Sequence, residues 1–411
     1  MNASQEKAAS EHLRQPWAAW FVIAAGVNAA MHVGKVPVAI PVLREQLGVS
    51  LVQAGSLLSM SQFAGMLLAV FAGIWADGFG LRRSLLTGLL LMTVASTLGG
   101  LAPNVPVLLA TRALEGVAFL LIVVPAPAML RQLVAPERLA PMMGVWGTFM
   151  PGGTALALMA GPWVLAWAGW HVWWWTLSGV SLLMAWGVWR AVPAVIGPRG
   201  GGGANPAGVA WPQRLMQTWR NPGTWWVALA FGMYSSQWLV VIGFFPTLMQ
   251  SAGLAAGMAG TITAVTSLVN ILGNITGGQL LHRGVPMHRI LNVGFITMAL
   301  AAWVIFGWGD ALPVWPKVLA ALALSGVGGV IPGSLFTMAV RVAPSEHTVS
   351  TSLGWTTQMS MVSQFVMPPV AAWLAQAHGD WTLTWLLNLA ACSIALVLTW
   401  RLKLLLARSG R

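Results

Sequence analysis

The sequence predicts an all-α integral membrane protein, with twelve transmembrane helices in two pseudo-symmetric six-helix bundles. Three observations predict it. Of the 411 residues, 57% are hydrophobic and only 7% are charged. A soluble domain carries about 25% charged residues and could not coat its surface with so few. Apolar runs of about 20 residues, the length that crosses a bilayer, recur along the whole chain. Landmarks of the first half also return in the second. Mean hydropathy is +0.75, and Cys392 is the one cysteine, which excludes a disulfide scaffold. The net charge of +12 does not point to nucleic acid, because basic residues stand singly or in pairs between apolar runs.

The polar opening MNASQEKAASEHLRQP has no signal-peptide pattern, so the apolar run from Trp17 is read as a retained first helix. Spans 1 to 6 are expected at 17–40, 51–76, 84–102, 106–130, 141–163 and 170–192. Spans 7 to 12 follow at 223–250, 257–281, 290–309, 317–339, 349–374 and 382–402. Between them, 193–222 holds GPRGGGGANPAG, a composition suited to a linker. The expected units are a first bundle over 1–192, a cytoplasmic linker over 193–222 and a second bundle over 223–411. Prolines inside spans, among them Pro125, Pro127, Pro151 and Pro332, are expected to kink them.

Lys and Arg orient the spans, because cytoplasmic loops are enriched in them. With the N-terminus inside, all of the 21 basic residues except Lys35, Arg44, Arg112 and Lys317 fall on the cytoplasmic side. Both termini are therefore expected inside a bacterial inner membrane. The repeat pairs Gly73 with Gly277, Pro125 with Pro332, and the stretch from Glu137 to Trp146 with that from Glu346 to Trp355. A parallel repeat of six helices is an arrangement of secondary transporters, whose solute site lies between the halves near the midplane.

Between spans 2 and 3 the chain reads Gly73-Ile-Trp-Ala-Asp77-Gly-Phe-Gly80-Leu-Arg82-Arg83. Span 4 carries Arg112-Ala-Leu-Glu115-Gly116. Both resemble signature motifs of the major facilitator superfamily, with Gly78 standing where that family usually has a basic residue. The second half holds a degraded copy from Gly277 to Arg289 without the aspartate. The resemblance covers essentially the whole chain. It implies the fold of that superfamily, and a gating role at the inner face for the loop of Gly73, Asp77, Gly80, Arg82 and Arg83. The stretch from Asn28 to Arg44 and the one at 146–153 are most similar to the cyanate porter and nitroimidazole-resistance branch. The antiporter signature of drug exporters is half present: Gly153 and Gly161-Pro162 occur without a following Gly-Gly.

A charge inside a span costs roughly 2.5–3.5 kcal/mol on insertion scales, which makes Lys35, Arg112 and Glu115 functional candidates. Asn28, His32 and Lys35 stand at i, i+4 and i+7, one face of a helix. That stripe suits an anion in the central cavity; packing between helices and snorkelling of Lys35 are the rival readings. His32 or Glu115 is the candidate proton carrier, while Arg112 and Glu115, at i and i+3, are also placed to pair with each other. Tyr234, the one tyrosine, and Gln237 in span 7, Asn270 and Asn274 in span 8, and Gln364 in span 11 are further cavity candidates. Trp146 and Trp355 occupy equivalent places in spans 5 and 11 and are candidate cavity walls. No nucleotide loop, metal spacing or enzyme constellation is present, and no cofactor or metal is expected.

The sequence therefore predicts a monomeric secondary transporter, not an enzyme. It would move a small, anionic solute by alternating access in the lipid bilayer, with protons as the coupling ion. The alternative on the same fold is a proton antiporter exporting amphipathic compounds or drugs.

Overall fold

The computed structural model describes residues 16–194 and 210–408, and every regular element among them is helical. Among the described residues, nine helices are long and apolar enough to cross a membrane. One of these is Phe149–Ala191, 43 residues long. At 1.5 Å per residue it would reach about 65 Å, twice a hydrocarbon core of about 30 Å, so it must fold back. It does so at Gly169, whose φ of 79° and ψ of 176° are open to glycine alone. Beyond that turn the Trp173 ring returns to lie against Gly161. Two further rods, Leu81–Gly100 and Val349–His378, complete twelve among the described residues. Their hydroxyls lower the mean hydropathy, but many bond back to the helix: Thr93 to the Leu89 carbonyl at 2.9 Å, and Thr356 to that of Ser352 at 2.9 Å.

Span 1 is Pro16–Leu47, longer than its apolar run suggested, because the helix continues through Pro37 and Pro41. Span 2 starts at a Ser50–Gln53 capping box and runs as Leu51–Ser59, a 3-10 turn at Met60–Gln62, and Phe63–Phe79. Span 3 is Leu81–Gly100. Span 4 is Val105–Val123 followed by Ala126–Leu133, broken at Pro125. Span 5 runs from Pro136–Trp146 into Phe149 and on to Gly169, and span 6 from there to Ala191. Spans 7, 8 and 9 are Pro222–Ser251, Ala256–His282 and Met287–Phe306. Span 10 is Val314–Gly328 and Val330–Arg341, broken just before Pro332. Spans 11 and 12 are Val349–His378 and Thr384–Arg408. Spans 4 and 10 thus break beside the matched prolines, where the missing N–H and the ring deny the helix a bond.

Within the stretch expected to be linker lies a helix, Trp211–Arg220. Pro212 in its first turn suits a helix start. Trp211 meets Phe71 of span 2 at 5.7 Å between ring centroids, and Trp219 meets Trp355 of span 11 at 5.6 Å. This helix therefore touches both halves. The rest of the linker's core, 195–209, lies outside the described residues.

The halves meet along spans 2 and 11 and along spans 5 and 8. The Val70 amide donates to the Gln358 side-chain oxygen at 3.1 Å, and the Gln358 amide donates to the Met66 carbonyl at 2.9 Å. Ser267 donates to the Pro151 carbonyl at 3.0 Å. Elsewhere glycine brings backbones together. A Cβ at Gly273 would lie 2.1 Å from the Gly326 carbonyl oxygen, whereas one at Gly278 would meet nothing within 4 Å. Gly273→Val is expected to cut the yield of monodisperse protein and lower its melting temperature, with Gly278→Ala unchanged. Thermal unfolding in detergent checks both, and equal melting would remove the close-approach argument.

Candidate functional site

Span 1 turns the face of Asn28, His32 and Lys35 toward spans 3, 4 and 6 of its own bundle. Lys35 and Arg112 are 0% exposed, and Glu115 and His32 are 1% exposed. The Glu115 carboxylate bridges the two cations: Oε1 accepts from Lys35 Nζ and Oε2 from Arg112 Nη1. The pair suggested by the i, i+3 spacing is therefore present, and Lys35 joins it. Lys35 does not reach the membrane surface. Its ammonium also donates to Ser96 Oγ at 3.0 Å and His32 Nδ1 at 3.3 Å, and stands 4.7 Å from the centre of a Trp174 ring.

The backbone takes up most of the remaining donors. Arg112 Nη1 also donates to the His32 carbonyl at 2.8 Å, and Nε to that of Leu57 at 3.1 Å. Arg112 Nη2 is buried with no hydrogen-bond partner among the described residues. The His32 ring has Nε2 2.9 Å from Ser181 Oγ and Nδ1 3.7 Å from Glu115 Oε1. With a lysine ammonium donating to Nδ1, neutral His32 carries its proton on Nε2 and donates to Ser181. Asn28 Nδ2 donates to the same Ser181 oxygen at 2.9 Å. One carboxylate therefore faces two cations, leaving a surplus positive charge when all three ionise. Ser96 and Ser181 escape sequence reasoning because lone serines are common in spans; only their placement opposite the span 1 stripe would single them out.

The second half answers with neutral groups. Asn270 Nδ2 donates to Tyr234 Oη at 2.8 Å and to the Ser325 carbonyl at 2.9 Å, and Asn274 donates to Asn270 Oδ1 at 2.8 Å. Gln237 bonds back to the Met233 carbonyl at 2.8 Å and accepts from Cys392 of span 12 at 3.3 Å. Gln364 donates to Ser360 Oγ at 2.9 Å, which donates to Ser235 at 2.7 Å. Trp146 stacks on Phe149 at 4.5 Å, with its ring over Gly26. Trp355 packs edge-on against Trp225 at 4.7 Å. The structure thus brings Asn28, His32, Lys35, Arg112 and Glu115 into one cluster, and Tyr234, Asn270 and Asn274 into another. Gln237, Gln364, Trp146 and Trp355 stand apart from both.

In the loop between spans 2 and 3, Gly80 has φ +97°, which favours glycine at the turn. Arg82 donates through Nε to the Val192 carbonyl at 2.8 Å and through Nη2 to that of Trp189 at 2.7 Å. It thereby satisfies carbonyls left free at the end of span 6. Arg83 is exposed beside it. Gly73 and Asp77 lie within the Phe63–Phe79 helix, and their side chains fall outside the described residues.

The family model described as Major Facilitator Superfamily matches residues 19–360 and 228–409. The chain belongs to the Major Facilitator Superfamily. It is a multi-pass membrane transporter of a small-molecule solute and not an enzyme. Among relatives of this facilitator, the cyanate transport protein of Escherichia coli (strain K12) is 24% identical over 388 residues, 91% of this chain and 93% of that one. The 2-nitroimidazole transporter of the same organism is 23% identical, covering 87% of each chain. A Mycobacterium tuberculosis (strain CDC 1551 / Oshkosh) protein named "Probable nitrate/nitrite transporter NarK2" is 27% identical over 73% of this chain and 74% of that one. A solved bacterial homolog of the human lysosomal transporter Spinster shares the fold. Its TM-score is 0.76 at 15% identity, over 93% of this chain and 96% of that one.

Removing one partner of a buried ion pair strands the other, at a cost of about 3–5 kcal/mol. Glu115→Leu in this facilitator is expected to destabilise by that order, and Glu115→Leu with Lys35→Met to recover part of it. Unfolding in detergent measures both; a single variant as stable as the parent would mean that the cations do not depend on Glu115.

Proposed function

We propose that this facilitator is a proton-coupled importer of a small anion, acting by alternating access as a monomer in a bacterial inner membrane. The observation that carries the reading is the single carboxylate of Glu115 shared by Lys35 and Arg112. With Glu115 ionised, the cluster keeps one surplus positive charge. A proton on Glu115 releases both cations and raises the surplus to two. An anion is then drawn to the place the carboxylate has left. Proton and anion thus favour each other's binding, which is the requirement for symport. His32 Nδ1 stands 3.7 Å from the same carboxylate oxygen, so the ring passes a proton to Glu115 once it has taken a second proton at Nδ1.

Conformational change supplies access. The bundles over 1–192 and 223–411 rock about the contacts of spans 2 with 11 and 5 with 8, with the linker 193–222 tethering them and the loop of Asp77 and Arg82 as the inner gate. The movement would turn the charged cluster of the first half toward the neutral cluster of Tyr234, Asn270 and Asn274, where the rest of the solute is held. The basic ends of the spans, such as Arg82, Arg83, Arg283 and Arg289, share one side, which supports cytoplasmic termini. The relatives named for cyanate and for nitrate and nitrite support an anion. The relative named for 2-nitroimidazole supports a second reading, export of uncharged or amphipathic compounds.

Purified protein in liposomes under a pH gradient tests the choice, with cyanate, nitrite, carboxylates, zwitterions and lipophilic drugs added singly. Proton movement with one anion class is expected, lost in Lys35→Met. Glu115→Gln is expected to carry the anion without protons and without dependence on pH. Flux with several lipophilic drugs and none with anions would reject the importer in favour of the exporter.

A further inference from the structure

A groove of about 350 Å³ lies beside the charged cluster, and its described lining comes from spans 1 and 6 alone. Trp20, Ala24, Val27 and Met31 form one wall, Val180 and Met184 the other, and Asn28 the polar part of the floor. No residue of the second half contributes to this lining, so the groove lies on the flank of the first bundle rather than between the halves. We propose that it seats one acyl chain of an anionic phospholipid from the leaflet on the side of the basic loops.

Length, lining and charge each favour that occupant. Trp20 to Met31 is eleven helical steps, about 16 Å. One leaflet supplies about 15 Å of hydrocarbon, half of a core of about 30 Å. The lining is apolar except for Asn28, and that amide is already engaged with Ser181. A small anion would find no cation in the groove. One turn of a partner helix fills roughly 500 Å³, more than the groove holds.

The Trp20 end of the groove is built like a membrane interface. Trp17 and Trp20 of span 1 stand at that end, 52% and 53% exposed, while Trp186 and Trp189 of span 6, 62% and 56% exposed, mark the same depth on faces of their helix turned away from the groove. Indoles gather at headgroup level. Arg190, exposed one residue beyond Trp189, supplies a cation at that level for a phosphate. Arg82, close by, is occupied with the carbonyls of Val192 and Trp189. The floor then links the chain to the cluster: Asn28 bonds Ser181, and Ser181 bonds His32. A seated chain keeps water from that end of the network.

Native mass spectrometry of the full chain, released from nanodiscs of phosphatidylglycerol mixed with phosphatidylcholine, tests the site. The parent is expected to retain one phosphatidylglycerol. Arg190→Gln, a change at an exposed position, is expected to lower the preference for phosphatidylglycerol about fivefold, the effect of one cation near an anionic surface. Ala24→Trp fills the groove and is expected to lose the retained lipid; Met184→Trp does the same from the opposite wall. Unchanged retention and headgroup preference in Arg190→Gln and in whichever groove variant folds would overturn the proposal. Retention of added cyanate or nitrite in place of lipid, lost in the groove variants, would overturn it too.

Discussion

A charge placed in a bilayer must be answered by another charge, and much of the first bundle is arranged around that requirement. Glu115 answers Lys35 and Arg112 at once. Most of the remaining donors are met by Ser96, by the face of Trp174 and by the carbonyls of Leu57 and His32, with Arg112 Nη2 left unpartnered among the described residues. Spans 1, 3, 4 and 6 are thereby tied through one knot of side chains, and span 2 joins through its backbone. Such a knot holds only while its members stay paired, since each charge costs several kcal/mol in low dielectric when left alone. In the proposed transport reading, the same dependence is what lets a proton or a competing anion rearrange the knot.

The second bundle solves the packing problem without charge. Tyr234, Asn270 and Asn274 pass hydrogen bonds to one another and to the Ser325 carbonyl. Gly273 and Gly277 then let span 8 ride on the backbone of span 10. Close backbone contact favours a rigid body, because small residues leave few side chains to rearrange. Two halves built on one repeat therefore differ in kind. One holds a charged group of side chains that can exchange partners, and the other a neutral body against which the first can move. Gln358 and Ser267 bridge the halves with side-chain bonds, and glycine brings their backbones together as well, Gly55 against Pro368 and Gly260 against Leu158.

Much of this was legible in the sequence. Run length gave the spans, and the matched prolines Pro125 and Pro332 marked where spans 4 and 10 break. The Arg112–Glu115 spacing suggested a pair, and the motif at Gly80 and Arg82 marked a turn. Periodicity correctly grouped Asn28, His32 and Lys35 on one face. It could not say which neighbour that face meets, because orientation depends on packing among six helices rather than on spacing within one. Gln237 illustrates the same limit, for its amide turns to Cys392 of span 12. The Trp211–Arg220 helix was hidden because it follows a glycine-rich stretch and is too short to show a long apolar run.

The turn at Gly169 carries a consequence for engineering and for inheritance alike. Spans 5 and 6 are joined there by one residue in a conformation that only glycine adopts readily, with no intervening loop. A join of that kind has no slack to absorb extra length. An epitope, a protease site or a duplicated codon placed at it would have to unwind helix on one side or the other. Span 5 lies along the other half and span 6 carries Ser181 of the buried charged network, so either unwinding would displace a contact between the halves or a member of that network. That corner of the molecule can be shortened or lengthened only by disturbing the packing on which both spans depend.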